Sequence, residues 1–355
     1  MKRFRKILAL ILMVLVVVLF TLFRTKKTEA AWYSDTWGFR IKLTIDNTKV
    51  DADLTDFPVY VNLSLLPGLF HSHVNQTDAR DIRVTKSDGV TELPREVVFY
   101  TAASDTGELH FKYTGTLSST VDTDVYIYYG NASASDYATT DTYGRDNVWD
   151  ANYVGVWHLT ETSGQHADSS GTGNNSSSLS VATQGSANAK IGGADDFNAT
   201  TNYINLGTST SLNLATNGTI EAWIFPDGWG EGGYGSIVAR GAGSNVGYQF
   251  YTASARSSTS LWDVGRIDAT TNSLSLSSWQ SVAVSINNNT GTFYVNGVSS
   301  GGGAFSLDAS GTTTAYIGSF DGSADTFDGQ LDEIRISSTA RSSTWLSTQY
   351  NNQNS

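Results

Sequence analysis

Apolar and polar residues alternate along many short stretches of this 355-residue chain, and this period of two constrains its fold most strongly. Every second residue is apolar across residues 37–45, which is the pattern of a strand with one buried face. Similar stretches recur at 57–63, 125–129, 220–224 and 282–286, with turn-forming residues between them. The alternation therefore predicts an all-β protein built from antiparallel sandwiches.

Composition supports this fold class. Charged residues make up 16% of the chain, against about 25% in an ordinary soluble protein. Hydrophobic residues still reach 39% and aromatic residues 12%, so the chain can form a packed core and is not disordered throughout. The chain has 34 Gly and only 4 Pro, and Ser, Thr and Asn are abundant, as expected for short strands joined by polar turns.

The charge and the lack of cysteine exclude several classes of function. Residues 32–355 carry 15 Lys and Arg against 33 Asp and Glu, so a nucleic-acid partner is not expected. The absence of Cys excludes disulfides, zinc–thiolate sites and iron–sulfur clusters. Acid-rich loops do suit hard cations such as calcium.

The first 31 residues have the features of an export segment. A basic start precedes the apolar run 7–23, in which Thr21 is the single polar residue, and Ala30 and Ala31 fit a signal-peptidase site. The run is also at the lower limit for a membrane span. The sequence thus predicts either a signal peptide or an N-terminal membrane anchor. Both alternatives place the remainder in the medium or at the cell surface, with membrane contact only through this segment.

The remainder divides into two predicted domains. Residues 131–147 are rich in Ala, Ser, Thr and Asp and poor in apolar residues, as expected for a linker. We therefore predict a β-sandwich with its linker at 32–147 and a larger sandwich or jelly roll at 148–355. The stretch 341–350 is the one predicted helix after the export segment.

Four sequence blocks in the first half occur in the order found in a known family. They are Trp37–Arg40, Asp81-Ile82-Arg83 with Asp88-Gly89, Pro94, and Tyr126–Asn131. With these blocks the first half resembles a secreted prokaryotic domain of unknown function, and this resemblance implies no activity.

The second half carries a different set of blocks. They include Gly155–Leu159, Asp168–Gly171, Ile220–Ile224, Phe293–Gly297 and Phe327–Ile336. Through them it resembles the laminin-G-like, concanavalin A-like jelly roll of secreted proteins. That family includes lectins, adhesive modules and accessory domains of enzymes, so the resemblance implies the fold and does not name a ligand.

Two aspartates are candidate calcium ligands. If residues 331–336 form a regular strand, Asp332 points with Ile334 and Ile336 to the apolar face, where a carboxylate is costly unless it is paired or bound to metal. The resemblance implies a structural calcium at this Asp. Asp168 lies in an oxygen-rich loop that suits calcium. The alternatives are an Asx turn at Asp168 and pairing of Asp332 with an Arg or a backbone N–H.

Three aromatic residues are candidate ligand contacts. Trp229 and Tyr234 lie in a glycine-rich loop, and Trp262 stands beside Asp263. Exposed aromatic rings next to polar groups hold sugars by stacking on their C–H faces. The alternative is that Trp229 and Tyr234 fold back onto the edge of the sandwich.

Signs of catalysis are weak. The chain has eight Glu, none of which begins the Glu-x-Asp-x-x-Glu strand motif of laminarinase-type jelly rolls. His158 is interpreted as a satisfied core histidine. The sequence therefore predicts an exported non-catalytic binding protein, with a glycan or cell-surface polymer as ligand and calcium fixing its loops. The alternatives are a structural or protein-binding subunit of a surface layer or appendage, and a glycoside hydrolase or lyase.

Overall fold

A computed structural model describes residues 30–186, 188–242, 245–263, 265–307 and 313–354. Within these ranges the chain forms 22 β-strands and two α-helices, and the strands pair in antiparallel fashion, which confirms the predicted all-β class. The predicted export segment lies, up to residue 29, outside the described residues. In the described part, no helix has the length and apolar character needed to cross a bilayer.

The first half forms two facing sheets. Their orders are β1-β7-β3-β4 and β2-β6-β5. The elements are β1 (Phe39–Ile45), β2 (Leu54–Asn62), helix α1 (Gly68–His71), β3 (Arg83–Lys86), β4 (Glu92–Leu93), β5 (Arg95–Thr101), β6 (Thr106–Leu117) and β7 (Thr123–Tyr129).

The second half forms an eight-stranded and a seven-stranded sheet. The elements are β8 (Tyr153–Trp157), β9 (Ser178–Ser180), β10 (Thr183–Ser186), β11 (Ala194–Asn198), β12 (Tyr203–Gly207), β13 (Gly218–Pro226), β14 (Tyr234–Ala242), β15 (Asn245–Ala253), β16 (Ser258–Trp262), β17 (Arg266–Asp268), β18 (Gln280–Asn287), β19 (Thr290–Val295), β20 (Val298–Ala304), β21 (Ala315–Ile317), β22 (Asp328–Ser337) and helix α2 (Ser343–Gln353). The eight-stranded order is β10-β11-β22-β13-β18-β19-β20, with β8 also paired to β22, and the seven-stranded order is β17-β16-β15-β14-β21-β12-β9.

One row of apolar side chains crosses the whole seven-stranded sheet on its inner face. Directly opposed residues on neighbouring antiparallel strands point to the same face, so the pairing register gives the row. Its members, from β9 to β17, are Leu179, Ile204, Ile317, Val238, Phe250, Leu261 and Ile267. All seven lie in or against the core between the two sheets.

The outer face of the eight-stranded sheet is buried as well. A second row of opposed residues lies there, made of Tyr294, Ala283, Glu221, Arg335 and Val156. Tyr294, Ala283 and Val156 belong to the hydrophobic core of the first half. The two halves therefore pack on each other through this face, and one core is continuous between them.

Helix α2 completes the junction. A helix was predicted at 341–350, and the structure confirms it at Ser343–Gln353. The helix begins two residues later than predicted because Ser342 is its N-cap: the Ser342 hydroxyl accepts a hydrogen bond from the backbone N–H of Trp345 at 3.1 Å. The indole of Trp345 packs edge-on against Phe57 of β2, with ring centroids 4.9 Å apart. The C-terminal helix thus fastens the second half to the first.

Replacing Trp345 by alanine should strongly destabilise the chain. Loss of a buried tryptophan at this contact is expected to lower the free energy of unfolding by about 3–5 kcal/mol, measured by chemical denaturation. Val298→Ala, at a side chain 69% exposed, is the control and should stay within about 0.5 kcal/mol. A Trp345→Ala protein as stable as this control would contradict the packing.

His166 anchors the loop that follows β8. It is fully buried and pairs through Nδ1 with Glu161 and through Nε2 with Asp195, both at 2.7 Å. Burial disfavours the imidazolium, but the contacts with Asp195 and Glu161 outweigh it and raise the pKa of His166 to about 9. The charged imidazole therefore stabilises the fold.

This shift predicts a dependence of stability on pH. Because the folded-state pKa lies above the ordinary value of 6.5, the stabilisation is complete below that pH and is lost as the pH rises through about 9. The free energy of unfolding should fall over this interval in the wild type and much less in His166→Gln, as measured by urea denaturation at several pH values. Parallel curves for the two proteins would refute the prediction.

Candidate functional site

The outer face of the seven-stranded sheet carries a row of mainly polar and aromatic side chains, on the side opposite to the apolar inner row. Its members, one position along each strand from the inner row, are Arg266, Trp262, Gln249, Ala239, Tyr316, Asn205 and Ser178. Side chains alternate between faces along a strand, so the same register that buries Leu261 turns Trp262 outward. The result is one continuous row across seven strands.

Aromatic rings with exposed or half-exposed surface lie at two places on this face. Trp262 is 37% exposed and its ring centroid lies 6.4 Å from that of Phe320. Three strands away, the half-exposed Tyr316 meets Tyr203 edge-on at 5.9 Å. The aromatic groups therefore form two patches with the polar side chain of Gln249 between them.

Two carboxylates on this face are held by neighbouring side chains. Gln249 donates from Nε2 to Asp325 at 3.0 Å and to the Ser236 hydroxyl at 2.8 Å. Burial raises the pKa of Asp325. Asp268 accepts from Ser260 at 2.6 Å and pairs with Arg266 at 2.9 Å. These contacts fix the polar groups between and beside the rings.

The three predicted aromatic residues have different positions. Tyr234, 44% exposed, begins β14 on the same face, with its ring centroid 6.0 Å from that of Tyr251. Trp262 lies on this face, in the row that crosses the sheet. Trp229 packs partly buried against the core, which matches the alternative interpretation of a ring folded back onto the sandwich. The structure thus places Tyr234 and Trp262 on one surface and Trp229 beside it.

Asp168 organises its own loop. One carboxylate oxygen accepts from the backbone N–H groups of Val156 at 3.0 Å and Ser170 at 2.9 Å. The other accepts from the Thr172 hydroxyl at 2.8 Å and the backbone N–H of Asn174 at 2.9 Å. Protein donors therefore surround this carboxylate, as in the alternative of a turn-forming aspartate.

The predicted orientation of Asp332 is wrong, because β22 is not regular. Its register against β13 shifts between Trp223 and Glu221, and Glu333 has a positive φ of 52°. This bulge adds one residue, so Asp332 lies opposite Trp223 on the outer face rather than with Ile334 on the inner face. Its carboxylate accepts from two backbone N–H groups, at 2.8 and 3.0 Å. Calcium at Asp332 and Asp168 stays a prediction, and no described contact joins the two residues.

A buried imidazole–carboxylate group lies at the junction of the two halves, which we call the junction cluster. It consists of Glu108 and His110 from β6, His158 directly after β8, and Glu333 from β22. None is more than 5% exposed, and one ligand-type atom from each lies within 4.8 Å of those of the others. Because these residues come from both halves, the cluster exists only when the halves are packed together.

Short contacts connect the junction cluster. His158 donates from Nδ1 to Glu333 at 2.5 Å and also lies 3.2 Å from Glu108. His110 Nε2 lies 2.8 Å from the same Glu108 oxygen. His158 is therefore buried, as interpreted from the sequence, and three carboxylates lie within 3.5 Å of its ring nitrogens.

Electrostatics dominate this region. Burial disfavours the imidazolium, but Glu333, Glu96 and Glu108 outweigh it and raise the pKa of His158 well above its usual value. Burial also opposes the charge of Glu333, but His158 and Arg335 outweigh it and lower its pKa. Burial, reinforced by Glu333, raises the pKa of Asp332 well above its usual value. In this buried region the charge of each carboxylate is therefore stabilised only by a positive charge close to it.

The sequence predictions missed the junction cluster, although the chain held one signal for it. Glu108 and His110 are separated by one residue in a strand pattern, so they share a face. An acid and an imidazole on one face of a strand form a potential pair of metal ligands. The position of Glu333 could not be predicted, because it depends on the bulge in β22 and no residue pattern in the sequence indicates that bulge.

A separate apolar cavity lies in the first half. It has a volume of about 500 Å³ and opens between β1 and β2, beside α2. Its lining includes Leu43, Val59, Phe111 and the exposed Leu65. The size suits a small molecule. None of the predicted aromatic contacts or aspartates lines it.

Comparison with known proteins supports part of the resemblance proposed from sequence. Residues 197–347 match the family described as the concanavalin A-like lectin/glucanases superfamily. No curated protein matches the chain.

Three similar solved structures are domain 4 of AbnA, a GH43 extracellular arabinanase from Geobacillus stearothermophilus, in complex with arabinotriose; Trypanosoma rangeli sialidase; and the binding domain of Paraclostridial Mosquitocidal Protein 1. Their sequence identities are 16%, 14% and 16%, and their TM-scores are 0.43, 0.46 and 0.44. The matches cover 55%, 70% and 56% of this chain and 97%, 42% and 52% of the three structures.

The resemblance of the first half to a secreted domain of unknown function stays a prediction. The predicted concanavalin A-like jelly roll in the second half is confirmed over residues 197–347.

Proposed function

We propose that this chain is an exported, non-catalytic glycan-binding protein that acts at the cell surface or in the medium. Its binding surface is the outer face of the seven-stranded sheet. The observation that carries the proposal is the pair of solvent-accessible aromatic patches on that face, one at Trp262 and one at Tyr316 with Tyr203.

The packing of the two halves favours this face over the other one. The outer face of the eight-stranded sheet is buried under the first half and α2, whereas Trp262, Tyr316 and Tyr203 remain exposed or half-exposed. A jelly roll with one sheet covered has its other sheet available to a ligand. The aromatic side chains lie on that available sheet.

The spacing of the rings suits a sugar chain. Trp262 on β16 and Tyr316 on β21 are three strands apart, which is about 14 Å at the usual strand separation. This distance exceeds the width of one sugar ring, so the two aromatic patches would contact different sugar units of an oligosaccharide. Arg266, whose side chain is 40% exposed, lies in the same row and supplies hydrogen-bond donors for hydroxyl groups.

Charge favours a neutral glycan. Residues 32–355 carry 15 basic and 33 acidic groups, and Asp268 and Asp325 lie on the proposed face itself. A surface of this sign repels acidic polysaccharides. Both carboxylates are engaged by side chains of the same face, Asp268 by Arg266 and Asp325 by Gln249, which favours a structural role for them over a catalytic one.

Removing the rings should abolish binding without unfolding the protein. We expect Trp262→Ala and Tyr316→Ala each to weaken binding at least tenfold, about 1.4 kcal/mol, because each ring contributes stacking area. The measurement is retardation in native gels that contain arabinan, xylan or mixed-linkage β-glucan, followed by calorimetric titration with the polysaccharide that retards the protein.

The matched control is Trp32→Ala, which removes a tryptophan 41% exposed in the first half. It should bind like the wild type. If none of the polysaccharides retards the wild type and the pure protein self-assembles, the chain is a structural subunit instead. Release of reducing sugar by the wild type would refute the non-catalytic assignment.

A further inference from the structure

The junction cluster has the composition of a metal site. Two imidazoles and two carboxylates provide four ligand atoms whose shortest separation is 2.5 Å, with all of them within 4.8 Å of one another. A tetrahedral zinc ion with bonds of about 2.0–2.2 Å requires ligand atoms about 3.3–3.6 Å apart. The observed separations bracket this range, so small side-chain adjustments would close the four ligands on one ion.

The negative charges of the buried glutamates around the junction cluster exceed the positive charge that contacts them. Glu96, Glu108 and Glu333 are all buried, and Arg335 is the permanent cation in contact with them among the described residues, through Glu333. With both imidazoles neutral, this group carries two uncompensated negative charges away from water, which is costly. One divalent cation, or two added protons, would make the group neutral.

The surroundings of His158 match the second layer of a metal site. Its Nε2 lies 3.5 Å from Glu96. Glu96 in turn accepts from the Ser169 hydroxyl at 2.6 Å and from the indole N–H of Trp149 at 3.1 Å. A carboxylate behind the second ring nitrogen is the usual way that proteins orient a metal-binding histidine.

Two buried atoms of the junction cluster, Oε2 of Glu108 and Nε2 of His158, have no hydrogen-bond partner among the described residues. The Oε2 atom of Glu108 is inaccessible to water. The backbone beside it leaves room at Gly192, where a Cβ atom would collide with this oxygen. A buried carboxylate oxygen without a donor is costly, and a bound cation would remove that cost.

We propose that Glu108, His110, His158 and Glu333 bind one divalent transition-metal ion, with zinc as the best chemical match, and that this ion joins the two halves of the chain. Imidazole ligands favour zinc-type metals over calcium. The site differs in residues and in chemistry from the calcium predicted at Asp168 and Asp332. Its role is structural, since it lies closed within the junction.

The experiment uses the full chain after treatment with EDTA and removal of the chelator. We expect titration with zinc chloride to give one tightly held ion per chain by elemental analysis. Zinc should also raise the melting temperature by at least about 3 °C, because it binds the folded state alone. Cobalt(II) should give the visible absorption of a four-coordinate site.

Variants test the ligands directly. His110→Gln should weaken zinc binding at least 100-fold, and Glu96→Gln, at a positioning residue, about 10–100-fold. The matched control is His166→Gln, because His166 contacts its two carboxylates through opposite ring nitrogens and so cannot gather them on one ion. Its zinc response should equal that of the wild type.

Several outcomes would overturn the proposal. They are a wild type that retains less than one zinc ion and shows no thermal response, equal loss of zinc in His166→Gln, and stabilisation by calcium but not by zinc. The first outcome would mean that protons on the imidazoles, and not a metal ion, supply the missing positive charge. Since the readout needs no glycan, its failure is separate from failure of the proposed binding face.

Discussion

Burial of charged groups at the junction of the two halves is the constraint on which the rest of the structure depends. The outer face of the eight-stranded sheet combines apolar residues such as Ala283 and Tyr294 with the ionic residues Glu221 and Arg335. A face of this kind cannot be left in an apolar contact unless each charge meets a partner. Gln349 pairs with Glu221 and Glu333 pairs with Arg335, both within the second half. The first half adds Glu96, which faces His158, and contributes Glu108 and His110 to the junction cluster. The halves are thus matched by charge as well as by shape, and the glutamates and histidines of both halves form one electrostatic unit.

This junction gives the jelly roll two unlike faces. The covered sheet is held from outside by the first half and α2, and it provides rigidity. The free sheet carries Trp262, Gln249 and Tyr316 on strands whose inner row is fully apolar. Side chains on such strands are positioned more accurately than side chains on loops. The row proposed to bind a glycan is therefore positioned by the core beneath the free sheet and by the covered sheet on the other side of that core.

The sequence predicted what depends on regular periodicity and missed what depends on its interruption. Alternation identified strands such as β1, β7, β13 and β18. Once Leu261 is known to point inward, the outward direction of Trp262 follows from the alternation of side chains along β16. The jelly roll was recognisable from motifs between residues 155 and 336, and the family match covers residues 197–347. Asp332 was assigned to the wrong face because one extra residue at the bulge, Glu333, reverses the parity of β22. The junction cluster joins residues 225 positions apart in sequence, from Glu108 to Glu333, and pairings of that range leave no local pattern. Glu108 and His110 were the exception, since their spacing places them on one face of a strand.

The side chain of Asn352 has a consequence for how the chain is made. Its amide accepts from the backbone N–H of Tyr60 at 2.7 Å and donates to the carbonyl of the same residue at 2.9 Å, in the manner of a neighbouring strand. It thereby covers an edge of β2 that would otherwise offer its peptide groups to other chains. The two residues are separated by 292 positions. During synthesis the whole first sandwich is therefore translated before Asn352 can cover this edge. A nascent or truncated chain that ends before α2 exposes an unpaired strand edge that chaperones would have to shield.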